Sequence, residues 1–237
     1  MGINSWFKSG YTAVEEHDKE AKARQEAFAN GGAFTPTVLF EENQSRTLRF
    51  LMEEPVTFKE HYLPNVKGRR NFTCMDGMEN ELGERMECPF CATGNKPSFR
   101  GAYLVIDRSE DTFQSNGQTR TAKNQIKLFK QGISTLKVLE QTNKKRRLTE
   151  WDIEITRTGS GTDSRYTPIP EEKFELSAED AKKVADYLGD KDIIDKCIEL
   201  VKPVSVDAAY TALGMKAPAK ATTANNSRYD NGSGIGL

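Results

Sequence analysis

Four potential metal ligands stand within one short stretch of this chain: His61, Cys74, Cys88 and Cys91. Twelve residues separate His61 from Cys74, thirteen separate Cys74 from Cys88, and Cys88-Pro-Phe-Cys91 closes the set with a two-residue spacer. Three thiolates and one imidazole are donors from which tetrahedral zinc sites are built. Asp76, Gly77, Asn80 and Gly83 supply turns between the ligands. No apolar run there offers a second core, so the loop needs a cross-link to hold a shape. Two other readings of the cysteines stand beside this one, a thioredoxin-like redox pair and unrelated free thiols. The redox pair wants a βαβ setting that the surrounding sequence lacks, and it leaves Cys74 without a role. A carboxylate or a water is the alternative to His61 as fourth ligand, since the only other histidine is His17. Four protein ligands leave a metal no open position, so the zinc is expected to be structural. Cys197 falls on an apolar helical stripe and reads as a buried thiol.

The rest of the chain argues against an enzyme. No H-E-x-x-H, Walker-type lysine loop or G-x-S-x-G is present, and the glycines of Arg157-Thr-Gly-Ser-Gly161 lack the lysine and helix of a phosphate cradle. That stretch reads as a hairpin turn. No run approaches the roughly 20 apolar residues of a membrane span, and MGINSWFKSG lacks the apolar core of a signal peptide, so a soluble intracellular protein is expected.

The expected fold class is α+β, a small OB-like β-barrel with an inserted zinc-binding loop, an N-terminal helix and C-terminal helices. Residues 1–34 form a helical arm rich in Ala, Glu and Lys that stops at Gly31-Gly32. Residues 35–170 form the core, with the zinc loop at 61–91. Its strands are read from six β-branched or aromatic phrases: TPTVLFE, SRTLRFLM, VTFKEHYL, GAYLVID, NQIKLFK and WDIEITR. Alternation places Ala102, Leu104 and Ile106 inward, and Tyr103 with Lys127 and Phe129 outward. ISTLKVLEQTNKKRR reads as a helix between the last two of these strands. Residues 171–215 form an acidic helical segment, with Ser177 and Ser205 as caps and Ala181, Val184, Ala185 and Leu188 as one stripe. Residues 216–237 read as a flexible low-complexity tail.

Mean hydropathy is −0.67 and the net charge is −1, yet the charge is segregated. Residues 61–170 hold 18 Lys and Arg against 13 Asp and Glu, while residues 171–199 hold 5 against 10. The basic half interleaves cations, Lys130 and Lys123 among them, with rings that include Tyr62 and Phe99. Cations track phosphates and rings stack bases, so this pattern suits nucleic acid. The candidates are Lys59, Lys67, Arg69, Arg70, Phe72, Arg100, Tyr103, Lys127, Phe129 and Arg157. For Tyr103 and Phe129 a place in the core is an equal alternative, and for Trp151 the core is the preferred reading.

The ligand order, set among short strands, resembles the zinc-containing single-stranded DNA-binding proteins of tailed bacteriophages. Trp6-Phe7-Lys8, Arg49-Phe50-Leu51, Asn71-Phe72-Thr73-Cys74, Cys88-Pro-Phe-Cys91, Asp107-Arg108-Ser109, Lys127-Leu128-Phe129 and Asp152 to Arg157 look like that family too. The likeness covers residues 1–170. It implies an OB-fold core, sequence-independent binding of single-stranded DNA, and a role in phage DNA replication, recombination and repair within the host cytoplasm. It also implies self-association through the N-terminal segment. The spacer between Cys74 and Cys88 is longer than in the best-known members, and the acidic C-terminal tail of the family is missing. The acidic helices are then the candidate surface for replication or recombination proteins. The alternative keeps the zinc-stapled β domain but makes it a protein-interaction or regulatory module that does not bind nucleic acid.

Overall fold

The computed structural model describes residues 35–66, 69–79, 83, 85–115, 118–173 and 175–217. The expected N-terminal helix and all but the first two residues of the expected tail lie outside these. Among the described residues the fold is α+β: an antiparallel seven-stranded sheet, a separate hairpin and five α-helices. No helix of the described residues is long and apolar enough to cross a membrane.

The apolar phrase GAYLVID forms the centre of the longest strand, β4 (Ser98–Asp107), which organises the sheet. Along one of its edges run β1 (Ser45–Phe50) and β2 (Val56–Tyr62), end to end and both antiparallel to it. Along its other edge runs β7 (Gln125–Gly132), paired from Arg100↔Gly132 to Asp107↔Gln125. The free edge of β1 takes β8 (Trp151–Thr158), which in turn takes β9 (Arg165–Lys173). The free edge of β2 takes the short β3 (Asn71–Thr73). β5 (Asp111–Ser115) and β6 (Gln118–Ala122) form the separate hairpin.

Five of the six sequence phrases therefore become β1, β2, β4, β7 and β8. The sixth, TPTVLFE, makes a single parallel bridge, Thr37↔Leu128, with Val38 N–H donating to Leu128 O at 2.9 Å. The sheet is not a closed barrel, because no ladder joins β7 to β9 among the described residues. β9 crosses the expected boundary at residue 170. It contains Pro168 and Pro170, which an edge strand accommodates because one side of its backbone needs no donors.

The expected inward and outward faces are corrected, because both faces of β4 are buried. Ala102, Leu104 and Ile106 are fully buried, and so are Tyr103, at 2% exposure, and Phe129, at 0%. Tyr103 and Phe129 are directly paired, and both stack edge-on against Phe50 at 5.0 and 5.9 Å. Helix α2 (Ile133–Lys145) covers this face at Gly101, where a methyl group would meet the Leu136 methyls at 2.8 Å. The C-terminal helices are α3 (Ala178–Leu188), α4 (Ile193–Val201) and α5 (Val206–Ala212), capped by Ser177, Asp192 and Ser205. α4 packs on β4 and β2, and its Cys197 is fully buried with Sγ 3.6 Å from Ala102 O. Burial pushes that thiol up to about 12. The expected α3 stripe is shifted: Ala181 and Ala185 are exposed, while Asp180, Val184 and Tyr187 face the sheet side.

Lys127 is the third residue drawn from the outer face to the interior. Its ammonium meets Asp107 at 2.8 Å and also pairs with Asp111, and Arg46 binds the same two carboxylates. Burial works against the Asp111 charge, yet hydrogen bonds from Arg46 and Lys127 hold its carboxyl below the usual range. Two cations and two carboxylates neutralise one another, the condition under which charge is tolerated in an interior.

Candidate metal centre and adjoining groove

The ligands sit where three elements converge. His61 is the penultimate residue of β2, Cys74 follows β3 directly, and Cys88 and Cys91 bracket the start of the one-turn helix α1 (Pro89–Ala92). Proline at N1 presets that turn, which brings the two thiols of the Cys-Pro-Phe-Cys spacing together. His61, Cys74 and Cys88 are buried and Cys91 is half-buried. All four ligand atoms lie within 4.8 Å of one another, so the cluster can hold a metal ion. His61 Nε2 is 3.4 Å from Cys88 Sγ and 3.6 Å from Cys91 Sγ, and Cys74 Sγ is 3.6 Å from Cys91 Sγ. Burial raises the Cys74 thiol, and burial with the neighbouring thiols pushes Cys91 up to about 12. A cation among them favours the thiolates instead.

The residue that orients His61 was not legible in the sequence. Asn95 Oδ1 accepts from His61 Nδ1 at 2.8 Å, while Asn95 Nδ2 donates to Tyr62 O at 3.1 Å. This pair fixes the ring with Nε2 toward the thiols, the role that outer partners of ligating histidines play. Asn95→Leu is expected to weaken metal affinity by about 10- to 100-fold, measured by chelator competition. Affinity equal to the parent chain's would show that packing alone orients His61.

Phe72 and Phe90, with ring centroids 4.9 Å apart, form the floor of this lobe together with Met75. Phe72 is 4% exposed, so its expected place on a nucleic-acid surface is corrected along with those of Tyr103, Lys127 and Phe129. Their faces are occupied by protein. α5 completes the lobe from outside, packing Ala209, Val206 and Ala212 against this cluster.

Beside the lobe lies an open groove of about 580 Å³. Its lining includes Arg100 of β4, Lys130 of β7, Arg157 of β8, Asn71 of β3, and Gly161 and Ser164 from the turn before β9. Three cations thus face one carboxylate, Glu60, which accepts from Lys130 at 2.6 Å and lies 3.6 Å from Arg100. Arg157 is held by Phe40 O at 2.6 Å and Ser164 Oγ at 2.9 Å. Gly159 permits that hairpin: its φ is +75° and a side chain would press on Asp163 O. Tyr62, opposite Asn71 in register and on the Glu60 face of β2, is 54% exposed.

Of the ten candidate nucleic-acid residues, Arg100 and Arg157 line the groove. Arg69 and Arg70 are exposed on the approach to Asn71, with Arg69 lying over the Phe72 ring at 5.3 Å. Lys59 is exposed on the opposite face of β2, beside Phe99. Lys67 lies outside the described residues. Of the residues present in the basic and aromatic pattern but not among the ten, Lys130 lines the groove and Tyr62 lies on the same sheet face, paired with the lining residue Asn71. The signal for both was available in the strand parity they share with Arg100 and Glu60. Compared with protein-family models, with curated proteins and with solved structures, the chain finds no match.

Proposed function

We propose that this chain is a non-enzymatic, sequence-independent single-stranded DNA-binding protein acting in phage DNA replication, recombination and repair. The observation that carries this reading is where the groove sits in the topology. Taken end to end as one interrupted strand, β1 and β2 lead a five-strand series with β4, β7, β8 and β9, and α2 lies between β7 and β8. We read that series as an OB-like barrel left partly open. In such barrels the face of the second and third strands and the loop between the fourth and fifth bind oligonucleotides. Here those parts carry Arg100, Lys130, Gly161 and Ser164, all lining one groove. The cations suit a phosphate backbone, and Tyr62 offers a ring on which a base can stack.

We read the metal as zinc. Three of the six ligand separations, 3.4 to 3.6 Å, approach the edge of about 3.8 Å expected for tetrahedral zinc–thiolate bonds of about 2.3 Å, and all six are within 4.8 Å. When bound, it supplies a cross-link that holds β2, β3 and α1 together beside the groove. No ligand position is left for chemistry.

A labelled oligo-dT strand, titrated against zinc-loaded protein by fluorescence anisotropy, tests the reading. Three neutralised phosphates give a salt slope of about −2, so a fourfold rise in salt is expected to weaken binding about twentyfold. A matched duplex is expected to bind far less. Folded, zinc-loaded protein with no salt-sensitive preference for the single strand overturns the reading. That result favours the second one, a protein-interaction module. Its own support is Ile194 and Ile198, 52% and 40% exposed one turn apart on α4 within the acidic segment. On the first reading, the same surface is where replication or recombination proteins dock.

A further inference from the structure

The groove contains the start of α2, and this end of the helix is built differently from those of α3, α4 and α5. Gly132 stands at its N-cap and offers no side-chain acceptor, so no side chain answers the first amides of the helix. Gly132, Ser134 and Thr135 all line the groove. Thr135 is 6% exposed, and its hydroxyl meets no hydrogen-bond partner among the described residues. The oxygen itself is not sealed off, so this mostly buried side chain presents a hydroxyl to the groove that a ligand can engage. The Arg100 guanidinium completes the arrangement: its Nη1 lies 3.2 Å from where a β-carbon on Gly132 would stand. Any residue larger than glycine at the cap crowds that guanidinium. Glu60 holds Arg100 and Lys130 to the same side, and so acts as a positioning residue.

We propose that the first turn of α2, with Thr135 and Arg100, is a seat for one backbone phosphate of the bound strand. It rests on the reading of the groove as a nucleic-acid site. A helix N-terminus presents amide donors and a positive dipole end to an anion, and a guanidinium matches two phosphate oxygens. The seat fixes where the backbone enters the groove between the metal-bearing lobe and the β8–β9 turn.

The test compares the full, zinc-loaded chain with Arg100→Gln, Thr135→Val and Thr135→Ser by oligo-dT anisotropy across a salt series, with melting temperatures checked in parallel. Arg100→Gln is expected to weaken binding about tenfold at low salt and make the salt slope shallower by about 0.7, the value of one lost phosphate contact on a single strand. Thr135→Val is expected to weaken binding several-fold with the slope unchanged, and Thr135→Ser to restore it. If the parent chain binds oligo-dT and both Arg100→Gln and Thr135→Val bind as it does, the seat is overturned while the groove reading stands. If the parent chain itself does not bind, both are overturned.

Discussion

Cys88→Ser is expected to abolish stoichiometric metal binding and to lower the melting temperature more than any single truncation in the core. Metal binding in small structural sites supplies on the order of 10 kcal/mol of folding free energy, against about 2 to 5 kcal/mol for a large apolar side chain cut back to alanine. Only part of that appears here, because the sheet core holds the strands without help from the lobe. The lobe has less to fall back on. Its apolar cluster is small, α1 is a single turn, and β3 has three residues. Cys88 is 3% exposed and stands at the N-cap of α1, so a hydroxyl there leaves the buried Cys74, the half-buried Cys91 and His61 without their common partner. The measurement is metal content by mass spectrometry together with calorimetric melting. A variant that retains one metal per chain would remove Cys88 from the ligand set.

Phe129→Ala is expected to cost about 3 to 5 kcal/mol of stability, typical of a buried phenylalanine, while leaving the oligonucleotide affinity of the folded fraction unchanged. Phe129 has no exposed surface and touches the rings of Phe50 and Phe40. For a domain of this size the loss corresponds to a melting shift on the order of 10 °C. Thermal melting and anisotropy on the same preparation check it. A variant that melts like the parent chain but loses the single strand would return Phe129 to the binding surface.

The contrast between these two residues shows what the sequence could reveal. Cysteine spacing is chemistry that survives without coordinates, so the ligand set was legible as a set, and the structure brings its members together. Helix caps are equally local, and Ser177 and Ser205 accept the amide bonds their positions suggested. Strand parity is local as well, but its meaning depends on what covers each face. It identified Tyr103 and Phe129 as sharing a face and could not say that α2 would cover it and Phe50 pack beside them. Lys127 carried a different trap, since a lysine beside aromatic residues looks the same in sequence whether it meets phosphate or Asp107 and Asp111. β9 escaped notice because Pro168 and Pro170 weaken the strand signature, and the hairpin of β5 and β6 because DTFQS and QTRTA are mostly polar. The groove was the least legible part. Its lining comes from six separate stretches of chain that only the sheet register brings together.

The packing of α5 against the metal-bearing lobe imposes an order on the chain as it is made. All four ligands are synthesised 115 residues before Val206 to Ala212 follow, a separation read from the sequence positions of Cys91 and Val206. The thiols can therefore capture their ion early, while the cluster of Phe72, Met75 and Phe90 waits uncovered for its last apolar wall. Thr73, whose hydroxyl donates to Val201 O at 2.7 Å, waits for the same stretch. Synthesis that stops short of residue 200 thus leaves a metal-loaded fragment with a sticky flank, and finishing the C-terminal helices is what turns it into a sealed surface beside the groove.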